Sequence, residues 1–267
     1  MSNPTSTSDL VTLAGRDVAL EVTRWGPHPD VAMIPSAHRG AGDYARLAAD
    51  LSAAGFDSVA INVRGIGRST GTLDGIDLTD VADDIGDLIA LLSNGPVHIV
   101  GHALGQVFAR ATASYRPEVV RSVSLLACGG HDRAYRPPPV HLLEHFDKCG
   151  RSDLPDDVRL TSLRALFFAR DSDPTPWLGG WWPHDDVARV FGTIDPVEWA
   201  TAGKANVLIL QPLEDPLCPP EVGRELLGML GERGTYVEIP HCSHAMLPEQ
   251  PDAISTALIS FLREQDR

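Results

Sequence analysis

A glycine-flanked turn between a predicted strand and a predicted helix is the feature that most restricts how this chain can fold. The apolar residues 97–100 predict a short strand, residues 101–105 read GHALG, and helical spacing follows over residues 106–114. A strand that turns directly into a helix holds the middle residue of the turn, Ala103, in a strained conformation above the edge of a sheet. The two glycines let strand and helix approach closely, so layers of strands and helices are expected.

Short apolar segments of strand length alternate with helical segments along most of the chain. Strands are predicted at residues 11–14, 18–23, 31–34, 58–63, 97–100, 120–127, 207–210 and 235–239. Helices are predicted at residues 44–54, 78–92, 106–114, 221–230 and 251–264. This alternation predicts an α/β fold with a mostly parallel central sheet flanked by helices. Residues 1–8 are expected to form a flexible tail.

The stretch that follows the predicted strand at 120–127 differs from the rest of the chain. It contains three consecutive prolines, several tryptophans and two helical segments, at residues 140–148 and 160–169, but no convincing strand. We interpret residues 131–200 as a helical cap inserted into an α/β core formed by residues 1–130 and 201–267.

Composition excludes several classes of partner. The formal charge is −14 over 267 residues, and so acidic a surface repels phosphate backbones and anionic lipid. The four cysteines form no C-x-x-C pair, and no phosphate-binding loop is present, so neither a metal nor a cofactor is predicted. The polar N-terminus lacks a signal pattern and no apolar run is long enough to span a bilayer, which favours a reduced, cytoplasmic protein.

Three residues are placed where a nucleophile, an acid and a base could meet. Ala103 occupies the middle of the turn, Asp215 follows the predicted strand at 207–210, and His244 follows the one at 235–239. Carboxyl ends of parallel strands lie at one edge of a sheet, where ligands bind. An alanine has no atom that can attack a carbonyl, so no acyl-enzyme can form through residue 103.

The turn, the acid loop and the histidine loop together resemble the α/β-hydrolase superfamily. Residues 64–70 (RGIGRST) resemble the R-G-x-G-x-S turn of the family, and His244 precedes a Glu-x-Pro that opens the last helix. The family usually has serine at the position of Ala103. Residues 35–43 (PSAHRGAGD) and 64–71 resemble a subgroup in which some members carry alanine there. We therefore interpret Ala103 as natural, with an engineered replacement of serine as the alternative.

The resemblance implies roles for individual residues. His244 would be the general base and Asp215 would orient it, while the backbone N–H groups of Ala37 and Leu104 would form an oxyanion hole. Glu214 is a weaker candidate for the acid and His241 for the base. His102 is expected to pack behind the site.

Three hypotheses account for the missing serine. In the first, Ser36 is a displaced nucleophile that completes a triad with His244 and Asp215; otherwise its hydroxyl only bonds within its own loop. In the second, the His–Asp dyad acts on water or on an acidic substrate proton, as in direct hydrolysis or cofactor-free lyase or isomerase chemistry. In the third, the protein only binds a ligand, which the retention of both dyad residues argues against.

Aromatic residues concentrate in the predicted cap. The candidate substrate-binding residues are His38, Phe168, Trp177, Trp181 and Trp182. An apolar roof over a site is one interpretation, and attachment of the cap to the core is the other. Taken together, the sequence predicts a hydrolase of an ester, a lactone or a related bond in a small hydrophobic substrate, acting as a monomer or homodimer without nucleic acid or membrane partners.

Overall fold

An eight-stranded sheet forms the centre of the protein. The computed structural model describes residues 6–129, 140–182 and 186–267. The strands are β1 (Thr7–Thr12), β2 (Ala19–Trp25), β3 (Val31–Ile34), β4 (Ser58–Asn62), β5 (Val97–His102), β6 (Val120–Leu126), β7 (Asn206–Pro212) and β8 (Gly234–Ile239). Their order is β1-β2-β4-β3-β5-β6-β7-β8. The β1–β2 and β2–β4 pairings are antiparallel and the other five are parallel, which confirms the predicted α/β fold.

Helices cover both faces of the sheet. The described α-helices are α1 (Ala45–Ala53), α2 (Leu78–Leu92), α3 (Leu104–Tyr115), α4 (Val140–Cys149), α5 (Asp156–Leu166), α6 (Pro220–Leu230) and α7 (Pro251–Gln265). Helices α1 and α7 pack on one face, and α2, α3 and α6 on the other. Side chains of β3 alternate between these two cores, because successive residues of a strand point to opposite faces. None of the described helices combines the length and apolarity needed to cross a membrane.

The N-terminal hairpin differs from its prediction. Strand β1 begins at Thr7, inside the segment expected to be a flexible tail, and ends at Thr12 rather than at residue 14. It pairs with β2 from Thr7 opposite Arg24 onward, and Arg24 forms an ion pair with Asp9. Because β1 is an edge strand with mostly exposed side chains, its sequence shows no apolar alternation that would predict it.

The region of the predicted cap is helical where the structure describes it. Between β6 and β7 it contains α4, α5 and three short 3-10 helices, with no strand among the described residues. Helix α5 begins earlier than residue 160, because Pro155, Asp156 and Asp157 supply a favourable first turn. Residues 130–139 and 183–185 lie outside the described part, so the domain boundaries at 131 and 200 stay a prediction.

Candidate active site

The turn at residues 101–105 has the strained geometry expected from its sequence. Strand β5 ends at His102 and α3 begins at Leu104, with Ala103 between them at φ 48° and ψ −111°. A Cβ on Gly105 would lie 2.1 Å from the carbonyl oxygen of Ile34, and one on Gly101 would lie 2.4 Å from that of Gly105. Both glycines are therefore required, because α3 passes directly over the ends of β3 and β5.

His244 and Asp215 form a buried hydrogen-bonded dyad. The Nδ1 atom of His244 lies 2.8 Å from Oδ2 of Asp215, and the two side chains are 7% and 0% exposed. The other carboxylate oxygen accepts the backbone N–H groups of Leu217 at 2.8 Å and Cys218 at 3.0 Å. In a neutral imidazole whose Nδ1–H donates to this carboxylate, Nε2 keeps a free lone pair. The ligand atoms of Asp215, Cys218 and His244 all lie within 4.8 Å of one another.

His102 connects the turn to the loop that carries His244. Its Nε2 donates to the backbone oxygen of His244 at 2.7 Å, and the two imidazole rings lie 5.6 Å apart. Burial, together with the neighbouring His244, lowers the pKa of His102 to about 3, so this ring stays neutral. A neutral ring can hold the His244 loop in place without adding a charge to the site.

Glu249 fixes the same loop from the opposite side. Its carboxylate accepts the backbone N–H groups of Ser243 at 2.9 Å and of Ala169 at 2.7 Å. The backbone N–H of Ala245 donates to the backbone oxygen of Phe167 at 2.7 Å. Burial raises the pKa of Glu249 despite these bonds. The Glu-x-Pro signature therefore has a structural role here, because it ties the histidine loop to the end of α5.

The loop after β3 brings Ser36 and Ala37 beside the turn. Tyr44 donates to the backbone oxygen of Ile34 at 2.8 Å, which ties the start of this loop to the segment that precedes α1. Ser36 is buried, and within the described residues no hydrogen bond joins its hydroxyl to His244. The triad in which Ser36 is the nucleophile therefore stays a prediction. In the described structure the N–H groups of Ala37 and Leu104 have no acceptor, as an oxyanion hole requires.

Aromatic rings from the predicted cap lie over the dyad. The Phe167 ring centroid is 5.6 Å from that of His244, and the Trp177 centroid is 6.3 Å from that of His102. Trp181 packs on Phe167 and Trp177 at 5.9 Å from each. Phe168 is buried against Trp177 at 5.5 Å. Phe167 is not among the predicted substrate-binding residues, although its ring contacts that of His244.

A buried arginine joins this aromatic roof to the loop after β3. Arg39 is 2% exposed, makes two hydrogen bonds to Asp43 at 2.8 and 2.6 Å, and donates to the backbone oxygen of Gly179 at 2.7 Å. Its guanidinium lies 4.5 Å from the ring centroid of Trp177 and 4.9 Å from that of Trp181. The pairing with Asp43 neutralises its charge, so Arg39 holds the roof in place and offers no free cation to a substrate.

The remaining predicted substrate-binding residues, His38 and Trp182, contact each other. Trp182 donates its N–H to the backbone oxygen of His38 at 2.8 Å, and its own oxygen lies 3.1 Å from Nδ1 of His38. Trp182 is partly exposed, whereas Trp177 is buried. These bonds form a second attachment between the roof and the loop that contains Ala37.

The weaker candidates lie away from the dyad. The His241 side chain is 88% exposed and lies 3.9 Å from Glu214, which is itself exposed.

Arg64 forms a buried ion pair with Asp84 at 2.6 Å, so the RGIGRST turn supports the core. Helix α2, which supplies Asp84, is thereby anchored beside β4.

Comparisons with known proteins agree with this geometry. A family model described as "Alpha/beta hydrolase family" matches residues 31–257. The chain belongs to the alpha/beta hydrolase family. BpoC from Mycobacterium tuberculosis strain H37Rv, whose name describes a non-heme bromoperoxidase, is 28% identical over 233 residues, covering 78% of this chain and 84% of that protein. The bifunctional esterase/perhydrolase DCH of Acinetobacter calcoaceticus is 27% identical over 239 residues, covering 78% of this chain and 82% of the relative.

Solved structures show the same fold. An esterase from Exiguobacterium antarcticum superposes with a TM-score of 0.78 at 16% identity, covering 96% of this chain and 100% of the other. The crystal structure of BpoC superposes with a TM-score of 0.73 at 24% identity, covering 93% and 96%. At these identities the likeness establishes the fold alone.

Proposed function

We propose that this protein hydrolyses an ester, a lactone or a related bond in a small hydrophobic substrate, with the His244–Asp215 dyad as the base that activates water. The observation that carries the proposal is the buried 2.8 Å contact between Nδ1 and Oδ2 beneath an aromatic roof, next to a turn whose central residue is alanine. A relative whose name describes an esterase supports the reaction class.

The proposed reaction needs no residue at position 103 to bond to the substrate. A water beside the Ala103 methyl group gives a proton to Nε2 of His244 as its oxygen bonds to the carbonyl carbon. The oxyanion that forms accepts hydrogen bonds from the N–H groups of Ala37 and Leu104. When the carbon–oxygen bond to the leaving group breaks, the proton on Nε2 passes to the departing alkoxide, which restores the neutral imidazole.

The apolar roof supports the assignment of substrate class. Phe167, Trp177 and Trp181 present rings beside the dyad, while Arg39 is already paired with Asp43. Rings beside the dyad, with few polar groups among them, favour a neutral apolar acyl or alcohol group over a charged one. Short and medium aliphatic esters and lactones are therefore the substrates to test.

Ser36 remains a second candidate for the nucleophile. It is buried on the loop that also carries Ala37, and it lines a small cavity with Leu104 and Phe108. If its hydroxyl moved toward Nε2 of His244, the serine oxygen would bond to the carbonyl carbon as Nε2 took its proton. The alkoxide would leave with that proton, and water would hydrolyse the acyl-Ser36 in a second step.

A panel of p-nitrophenyl esters and lactones tests the proposal and separates the two nucleophiles. Wild-type protein should turn over at least one substrate, and Ser36→Ala should keep activity comparable to Ser52→Ala, an exposed serine of α1 that serves as the matched control. Loss of turnover in Ser36→Ala alone, with an acyl adduct detected by intact-protein mass spectrometry after rapid quenching, would move the nucleophile to Ser36.

Two other results would overturn the proposal that this protein is a hydrolase. Binding of these substrates without any turnover would indicate a ligand-binding protein. Exchange of a substrate C–H proton with D₂O, dependent on His244 but without bond cleavage, would indicate a cofactor-free proton-transfer enzyme.

A further inference from the structure

A cysteine thiol lies next to the dyad. The loop after β7 brings Cys218 close enough that ligand atoms of Cys218, Asp215 and His244 all fall within 4.8 Å of one another. The backbone N–H of Cys218 already donates to Asp215 at 3.0 Å, which fixes this residue beside the carboxylate. No sequence motif predicts the group, because its members come from two loops that follow different strands.

These three side chains are a ligand set that suits a thiophilic divalent cation. Zinc binds thiolate sulfur at about 2.3 Å and imidazole nitrogen or carboxylate oxygen at about 2.0–2.2 Å. Tetrahedral ligands at such bond lengths lie roughly 3.3–3.7 Å from one another. Since one ligand atom of each residue lies within 4.8 Å of the other two, shifts of about 1 Å bring all three to these separations.

The charge of the assembled site also favours such a cation. Asp215 and the Cys218 thiolate supply two negative charges and neutral His244 supplies none, so a dication with these ligands has no net charge. A neutral assembly is compatible with a buried location, where an uncompensated ion is costly. Cys218 and Leu217 are only half-buried, which provides a route for the ion from the loop side.

We propose that Asp215, Cys218 and His244 form a binding site for Zn²⁺ or a similar thiophilic dication, and that an ion bound there switches the dyad off. On binding, the thiol proton leaves to solvent as the metal–sulfur bond forms. The Nδ1 proton moves to Nε2 as the metal–nitrogen bond forms. His244 then has no lone pair with which to accept a proton from water. Metal binding itself is independent of the proposed function, whereas inhibition rests on it.

The other cysteines provide a matched control. Cys149 is buried in α4, where its thiol donates to the backbone oxygen of His145 at 3.2 Å. It belongs to no comparable ligand group among the described residues. Cys149→Ser therefore removes a thiol without touching the proposed site, while Cys218→Ser changes one sulfur to oxygen at nearly constant volume.

Cobalt binding tests the site directly. Titration of tag-free wild-type protein with Co²⁺ should produce the near-ultraviolet charge-transfer band of a cobalt–thiolate bond, and Zn²⁺ should displace it. Cys218→Ser and Cys218→Ala should lose the band and bind Zn²⁺ at least tenfold more weakly, whereas Cys149→Ser should match the wild type. Absence of the band from the wild type, or its loss in Cys149→Ser alone, would overturn the proposal.

Inhibition is measured separately, as the ratio of ester hydrolysis with and without Zn²⁺ in each folded variant. The ratio should rise toward 1 in Cys218→Ser and stay low in Cys149→Ser. If no ester is hydrolysed by any variant, the proposed function fails while the cobalt band still decides the metal site. Equal inhibition of both variants would overturn the switch.

Discussion

Replacement of Gly105 by alanine tests whether the turn depends on direct contact between backbones. The added Cβ would lie 2.1 Å from the carbonyl oxygen of Ile34 and 2.5 Å from that of Pro35. Carbon–oxygen contacts of this kind settle at about 3.3–3.6 Å, so α3 and the end of β3 must separate by about 1 Å. Overpacking costs about 1–3 kcal/mol, and we expect about 3 because both opposing atoms belong to the backbone.

Urea unfolding followed by circular dichroism measures this loss. A destabilisation of about 3 kcal/mol corresponds to a fall in Tm of about 6–12 °C in a chain of this size. Gly228→Ala in α6 is the matched control, since no atom lies within 4 Å of its Cβ position. It should stabilise the protein by about 0.5–1 kcal/mol through helix propensity. A Gly105→Ala protein that unfolds at the wild-type urea midpoint would refute the reasoning.

Three further substitutions probe the residues around the dyad. Because the folded pKa of His102 is about 3 and the unfolded one about 6.5, only the unfolded state takes up this proton as the pH falls. When the pH is lowered from 7.5 to 5.5, the unfolding free energy of the wild type should therefore fall by about 1.4 kcal/mol more than that of His102→Gln. Urea titrations of both proteins at both pH values measure this difference. Arg39→Met should lower the free energy of unfolding by about 3 kcal/mol, because it leaves Asp43 without its partner. The double variant Arg39→Met/Asp43→Leu should recover part of that stability, and equal losses in both variants would contradict the buried pair. Ala103→Gly should raise the free energy of unfolding by about 1 kcal/mol, because glycine relieves the strained backbone at φ 48°. A lower Tm than wild type in thermal unfolding would contradict that strain.

Much of the fold could be predicted because its signals are local. The buried strands β3 to β7 are apolar segments bounded by turns, and the GHALG turn has its own signature. The start of β1 at Thr7 could not be predicted, because only its pairing with β2 makes these exposed, polar residues a strand.

The site was predictable in part. Asp215 and His244 follow strands whose carboxyl ends meet, so their contact follows from topology. The ring of Phe167, the stacking of Arg39 on tryptophans and the approach of Cys218 depend on how loops pack together. Such contacts join residues far apart in sequence and leave no spacing that could be detected beforehand.

The activity of His244→Ala tests the central claim most directly. The claim is that a chain with alanine at position 103 hydrolyses esters because the His244–Asp215 dyad activates water. The initial rate of p-nitrophenyl ester hydrolysis, compared between wild type and a folded His244→Ala, should fall by at least about 10²-fold, as expected for loss of a general base. Equal rates in the two proteins would contradict the account.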